Sequence, residues 1–202
     1  MKKNTLLLVS FLLTVLLVSA QGEWKLNRSD NGIDVYTRKA DNSNFKSVKV
    51  ECKLTGTIDK LINILKNVDG NKKWVYNTKL TKMIRTVSSS EFIYYAETSL
   101  PWPLSNRDMV INMLFTRDSV QKTLTVKATG MPGEIATKSG LVRIPYFNGL
   151  WEVATIDDTH ISITYFLSID PGGSVPAWAY NKFVAKGPYN TFNNLAELLR
   201  PE

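Results

Sequence analysis

Few side chains in this 202-residue sequence are of a type that performs covalent chemistry, with one cysteine and one histidine in all. A thiolate nucleophile needs a base or a cation beside it. Cys52 instead sits in Ser47-Val-Lys-Val-Glu-Cys-Lys-Leu54, where strand alternation places it with Val48, Val50 and Leu54 as a small buried hydrophobe. His160 precedes the strand-like run 161–169 on its polar parity and reads as a turn or surface residue. There is no histidine pair, no metal-ligand spacing and no Cys/His dyad. A Gly-x-Ser-x-Gly elbow is also lacking. Gly130-Met-Pro-Gly133 and Gly172-Gly173 are turn glycines without the Lys-Ser/Thr step or spacing of a phosphate loop. The carboxylates Glu97, Asp108, Glu134 and Glu152 are dispersed. No metal or cofactor is expected.

The residues suited to binding are more telling. In Leu100-Pro-Trp-Pro-Leu-Ser-Asn-Arg-Asp-Met-Val110, Pro101 and Pro103 fix their own φ and push their neighbours to extended geometry, so Trp102 is held by the backbone. A strand then begins at Arg107. Its alternation puts Arg107 on one face with Met109, Ile111, Met113 and Phe115, and Asp108 on the other. An arginine heading an apolar face requires a buried partner or a wet pocket mouth. Tyr94, Tyr95, Trp151, Tyr165 and Phe183 also fall on candidate inward faces. Methionines and aromatics suit an apolar pocket of adaptable shape, and equally an ordinary core.

These residues need a scaffold. Lys2-Lys3, the apolar run Leu6–Val18 and Val18-Ser-Ala20 have the pattern of a cleavable secretory leader. Export to the periplasm or outside the cell is therefore expected, with a mature domain over 21–202. Losing Lys2 and Lys3 takes the basic count from 25 to 23 against 18 acids, a net charge of about +5. The cations are scattered, so nucleic acid is not an expected partner, whereas weak contact with anionic lipid is. Residues 21–31 read as a short helix or arm anchored by Trp24. Runs at 33–38 and 45–54 alternate as strands. Thr57 caps a helix whose apolar face is Ile58, Leu61, Ile62, Leu65 and Val68. Strands follow near 80–88, 91–99, 107–116, 119–128, 139–146, 150–156 and 160–169. A helix over 175–199 closes the chain, with a kink at Gly187-Pro188. The order is that of an α+β domain in which a curved sheet can wrap a helix.

The Pro-Trp-Pro and Asn-Arg-Asp stretch, Ile169-Asp-Pro-Gly-Gly-Ser-Val-Pro-Ala-Trp178 and the long terminal helix resemble the START lipid-transfer domain. So does the order of Trp24, Gly32-Ile33, Trp74, Met131-Pro132, Arg143 and Trp151. The resemblance implies a helix-grip fold, a curved antiparallel β-sheet around a long C-terminal helix with an internal hydrophobic cavity. It implies a monomeric lipid-binding protein without catalytic residues, holding one hydrophobic ligand, lipid or sterol-like. Its ligand-binding residues would be Tyr94, Tyr95, Arg107, Met109, Met113, Phe115, Met131, Trp151, Tyr165 and Phe183. The segment 129–140 matches the family's mobile gate, with Met131 and Ile135 touching lipid. Sterol-carrying members place a second arginine where Met113 stands, and its acid partner near Tyr94 or Tyr95. Met and Tyr here replace that ion pair, which makes the pocket more apolar with a phenol as its polar handle. Two other readings stay open. One is a cyclase-like helix-grip enzyme acting on a bound aromatic or polyketide through Tyr94, Tyr95, Tyr165 or Arg107. The other is an interaction module with a filled core.

Overall fold

Alternating burial builds the sheet that the site rests on. The computed structural model of the protein describes residues 22–40, 43–102 and 104–201; the leader expected at 1–20 and Pro103 lie outside them. The hairpin β1 (Lys25–Asp30) and β2 (Ile33–Lys39) turns at Asn31-Gly32, both at positive φ. β2 buries Ile33, Val35 and Thr37, and β3 (Lys46–Thr55) buries Val48, Val50, Cys52 and Leu54. Cys52 is therefore a wall residue, its thiol pushed up to about 12 by burial. α1 (Ile58–Lys66) is capped by Thr57, whose hydroxyl accepts from the Lys60 amide, and it buries Ile58, Leu61 and Leu65. A 3-10 segment, Val68–Lys73, delivers Trp74 into the interior.

The remaining strands are β4 (Thr78–Ser88), β5 (Glu91–Thr98), β6 (Arg107–Asp118), β7 (Thr123–Gly130), β8 (Val142–Arg143), β9 (Tyr146–Asp157) and β10 (His160–Asp170). They complete one ten-stranded sheet in the order β1-β2-β3-β10-β9-β7-β6-β5-β4, antiparallel except where β8 pairs with β6. The chain closes with α2 (Ala177–Phe183) and α3 (Lys186–Leu199). α3 lays Tyr189, Phe192, Leu195 and Leu199 on the concave side. This is the curved sheet and gripped helix that the sequence implies. Register shifts interrupt β1 at Leu26/Arg28 and β4 at Thr78/Leu80, Met83/Arg85 and Thr86/Ser88.

Three expectations change. Residues 25–30 form an edge strand, not a helix or arm. Their side chains are almost all exposed, so no apolar period betrays them. The strand expected at 139–146 shrinks to the two residues of β8. The terminal helix breaks at Val184-Ala185 rather than at Gly187-Pro188. Pro188 has no N–H for the Val184 carbonyl, so it is tolerated only in a first turn, and the helix restarts to place it there.

Candidate ligand cavity

Between the concave face of the sheet and the two terminal helices lies a cavity of about 690 Å3, mid-range for small-molecule sites. Its back wall is aromatic. The Trp151 ring lies 4.7 Å from Tyr165 and 5.0 Å from Phe192, and Tyr165 lies 5.4 Å from Phe192. β6 supplies Met109, Ile111 and Met113 from alternate positions, and β5 supplies Tyr94 and Ala96. Among the described residues no aspartate or glutamate lines the cavity, and the charged lining residues are Arg107 and Lys186.

The mouth is framed by the β5–β6 loop, the segment between β10 and α2, and α2 itself. Each residue of Asn106-Arg107-Asp108 has a separate task there. Asn106 closes the β5–β6 loop, its side-chain oxygen accepting from the Leu100 amide at 3.2 Å and its carbonyl from the Val142 amide at 3.0 Å. Arg107, only 4% exposed, has no acid partner among the described residues. Its guanidinium donates to the carbonyls of Pro171 and Gly172, both at 3.1 Å, and to that of Ser105. One side chain thus ties both mouth loops together. Burial lowers the Arg107 pKa from its ordinary value. Asp108 points the other way and meets Arg143 in a bidentate pair, both bonds 3.0 Å. The Asp-Pro-Gly-Gly turn is shaped to receive Arg107. Asp170 accepts from the Gly172 amide at 2.8 Å. Gly172 is at φ 66, where a Cβ would also come within 3.1 Å of the Arg143 carbonyl.

Seven residues singled out from sequence line this cavity: Tyr94, Arg107, Met109, Met113, Trp151, Tyr165 and Phe183. Three do not. Tyr95 follows Tyr94 on a strand and must face the opposite side. There it packs with Ile93 and Val110 under Met131 and Ile135, and its hydroxyl donates to Glu97 at 2.7 Å. Met131 belongs to that same outer cluster. Phe115 has the right parity but lies one step past the end of the cavity, stacked 5.8 Å from Phe92. The gate expected at 129–140 is likewise on the outer face. Arg143 holds the carbonyls of Pro132, Ile135 and Ala136, and Glu134 and Lys138 bind Arg85 and Glu97. No residue of 129–140 lines the cavity. His160 is exposed and bonds Asp157, as a turn residue should.

Tyr180 is not among the residues singled out from sequence. Tyr180 lines the cavity from α2 with its ring edge-on to Phe45 at 5.2 Å. Its spacing of three from Phe183 was the available signal, since both then share one face of α2. Tyr94, Tyr165 and Tyr180 are all held as neutral phenols, their pKa values pushed up chiefly by burial.

Comparison with known proteins agrees with this geometry. The START domain family model matches residues 13–200. A solved STAR-related lipid transfer protein from Xanthomonas axonopodis superposes with a TM-score of 0.81 at 28% identity, covering 88% of this chain and 99% of that one. An uncharacterized protein of Pseudomonas aeruginosa is 26% identical, over 86% of this chain and 85% of its own. Human phosphatidylcholine transfer protein is 24% identical, over 88% of this chain and 84% of its own.

Proposed function

The chain belongs to the START domain family, and from that premise we propose that it carries one hydrophobic ligand in the cavity under its terminal helices. The observation that carries this reading is a continuous apolar cavity, with no carboxylate among the described residues that line it, closed by two loops tied through Arg107. Burying about 400 Å2 of ligand at about 25 cal/mol/Å2 yields about 10 kcal/mol gross. Association and ordering remove several of those, so micromolar binding needs no catalytic group. Tyr94 and Tyr165 argue against the cyclase-like alternative, because burial raises their pKa values further above neutral pH and neither a histidine nor a carboxylate is among the described residues lining the cavity with them. Lipid extraction of purified protein followed by mass spectrometry tests the reading. One retained amphiphile per chain is expected; an empty protein that binds no fluorescent lipid overturns it.

Two further features belong to this reading. The leader sequence supports export, so mature protein should begin at Gln21. Around the mouth, Trp102 is 92% exposed, with Leu104 and Phe183 also exposed and Lys182 and Lys186 close by. Tryptophan favours the membrane–water interface and lysines favour anionic headgroups, which supports transient membrane contact by a monomer. Trp102→Ser should slow lipid transfer between vesicles without lowering lipid occupancy.

A further inference from the structure

Three tyrosines whose hydroxyls have nothing to bond line this cavity. Tyr94 comes from β5, Tyr165 from β10 and Tyr180 from α2. Among the described residues none of their hydroxyls makes a hydrogen bond. They are also not sealed in the wall. Asn71 Oδ1 and Trp74 Nε1 are unpartnered and shut away from any space, whereas the three phenol oxygens are not among such closed-off atoms. Gly149 leaves room for one of them, since a Cβ there would come within 3.2 Å of the Tyr165 hydroxyl. The Tyr165 phenol is raised first by burial and then by the Tyr94 and Tyr180 phenols, which is consistent with their convergence.

Polar groups in an apolar enclosure are costly unless something pairs with them. The protein supplies no partner, so the partner is the ligand. Each neutral phenol must place one proton, and three protons call for acceptor oxygens. The charged lining residues among those described are two cations and no acid, which disfavours a cationic headgroup and favours a neutral or anionic one. Size narrows the choice. At about 30 Å3 per non-hydrogen atom, by analogy with water's share of liquid volume, 690 Å3 holds roughly 23 atoms. A long-chain carboxylate such as oleate has roughly twenty and a diacyl glycerophospholipid roughly fifty, so the single-chain ligand is the better match in size.

We propose that Tyr94, Tyr165 and Tyr180 form a hydrogen-bonding subsite for the acyl oxygen of a single-chain amphiphile, a long-chain carboxylate. This rests on the carrier reading above and names its ligand class. The same acceptor chemistry occurs in the ester carbonyls of a diacyl lipid, so the test carries both. Binding of oleate, dioleoylphosphatidylcholine and octadecene is measured on the wild-type protein and on the triple variant Tyr94→Phe/Tyr165→Phe/Tyr180→Phe. The fluorescence of Trp151, which touches Tyr165, provides the signal. Wild-type protein should bind oleate most tightly. The triple variant should lose about tenfold or more in oleate affinity, and octadecene should change less than about twofold. The empty variant should melt no lower than wild type, because unpartnered hydroxyls have been removed. If the triple variant does not fold, each single variant should lose about threefold to fivefold for oleate. Oleate affinity unchanged in the folded variants overturns the subsite. Tighter binding of the diacyl lipid than of oleate overturns the single-chain assignment. Wild-type protein that binds none of the three overturns the carrier reading itself.

Discussion

Asp108→Asn separates what holds the sheet from what holds the ligand. Asp108 and Arg143 are among the most enclosed charges in the described structure, with side-chain exposures of 1% and 7%. Removing one partner of such a pair leaves the other buried and uncompensated, which costs about 3–5 kcal/mol. In a domain of this size each kcal/mol moves the melting temperature by about 2–4 °C, so a fall of about 6–20 °C is expected. Arg143→Met should be at least as harmful, because Arg143 also supplies the carbonyls of Pro132, Ile135 and Ala136. The double variant Asp108→Asn/Arg143→Met leaves no orphan charge. It should therefore melt well above the sum of the two losses, with a coupling of about 2 kcal/mol or more. Neither residue lines the cavity, so lipid occupancy measured well below the transition should not change. A loss under about 1 kcal/mol for Asp108→Asn, or strict additivity of the two changes, would refute the argument from burial. Lost occupancy in a folded variant would refute the separation of pair from site.

Met113→Arg places a cation against a lining with no acid among its described residues and should empty the cavity or unfold the protein, whereas Met113→Leu should cost less than about 1.5 kcal/mol by thermal melt. Hydrogen exchange should slow on lipid binding at residues 99–106 and 171–183, which frame the mouth. It should stay unchanged at 131–136, which Arg143 holds on the far side of the sheet. The buried phenols set an alkaline limit. Their folded pKa values lie above the unfolded value near 10, so the native state holds protons that the unfolded state releases. Their contribution is complete below about pH 10 and fades as pH rises towards the folded values. The triple tyrosine-to-phenylalanine variant should flatten that decline in a melting series from pH 8 upward.

The strands with one wet face were the legible part of the fold. Cys52 and its neighbours, or Met109 and Met113, reveal an inward face because burial alternates with the pleat. The inverse case is β1, where Lys25-Leu-Asn-Arg-Ser-Asp30 has almost no buried side chain and belongs to the sheet only through its pairing with β2. Parity alone separates Tyr94 from Tyr95, but which of the two faces inward depends on where the helices dock. Nothing local to residues 91–98 records that. Phe115 shows the limit of parity in the other direction: a face can be correct while the cavity ends before the residue. The segment 129–140 was misplaced for a related reason. Its glycines show that it turns, but its position is set by Asp108 through Arg143, 35 residues apart. Arg107 was expected to need a buried partner or a pocket mouth, yet two of its three carbonyl partners lie 64 and 65 residues away and have no side-chain signature.

The two rims of the sheet have a consequence for crowding. An open sheet ends in rows of free amides and carbonyls, a template on which another chain can add a strand. Here the rims are β1 and β4. β4 is eleven residues long, which would make it a hazard if it were flat and apolar. It is neither. Three register shifts bend it within that length, and Lys79, Lys82 and Arg85 punctuate it. β1 carries its own irregularity beside Arg28. Strand addition at either rim would force a growing stack to absorb kinks and bring like charges together. The molecule can thus keep apolar side chains exposed around its cavity mouth at high concentration while giving its own copies little purchase for fibrillar assembly.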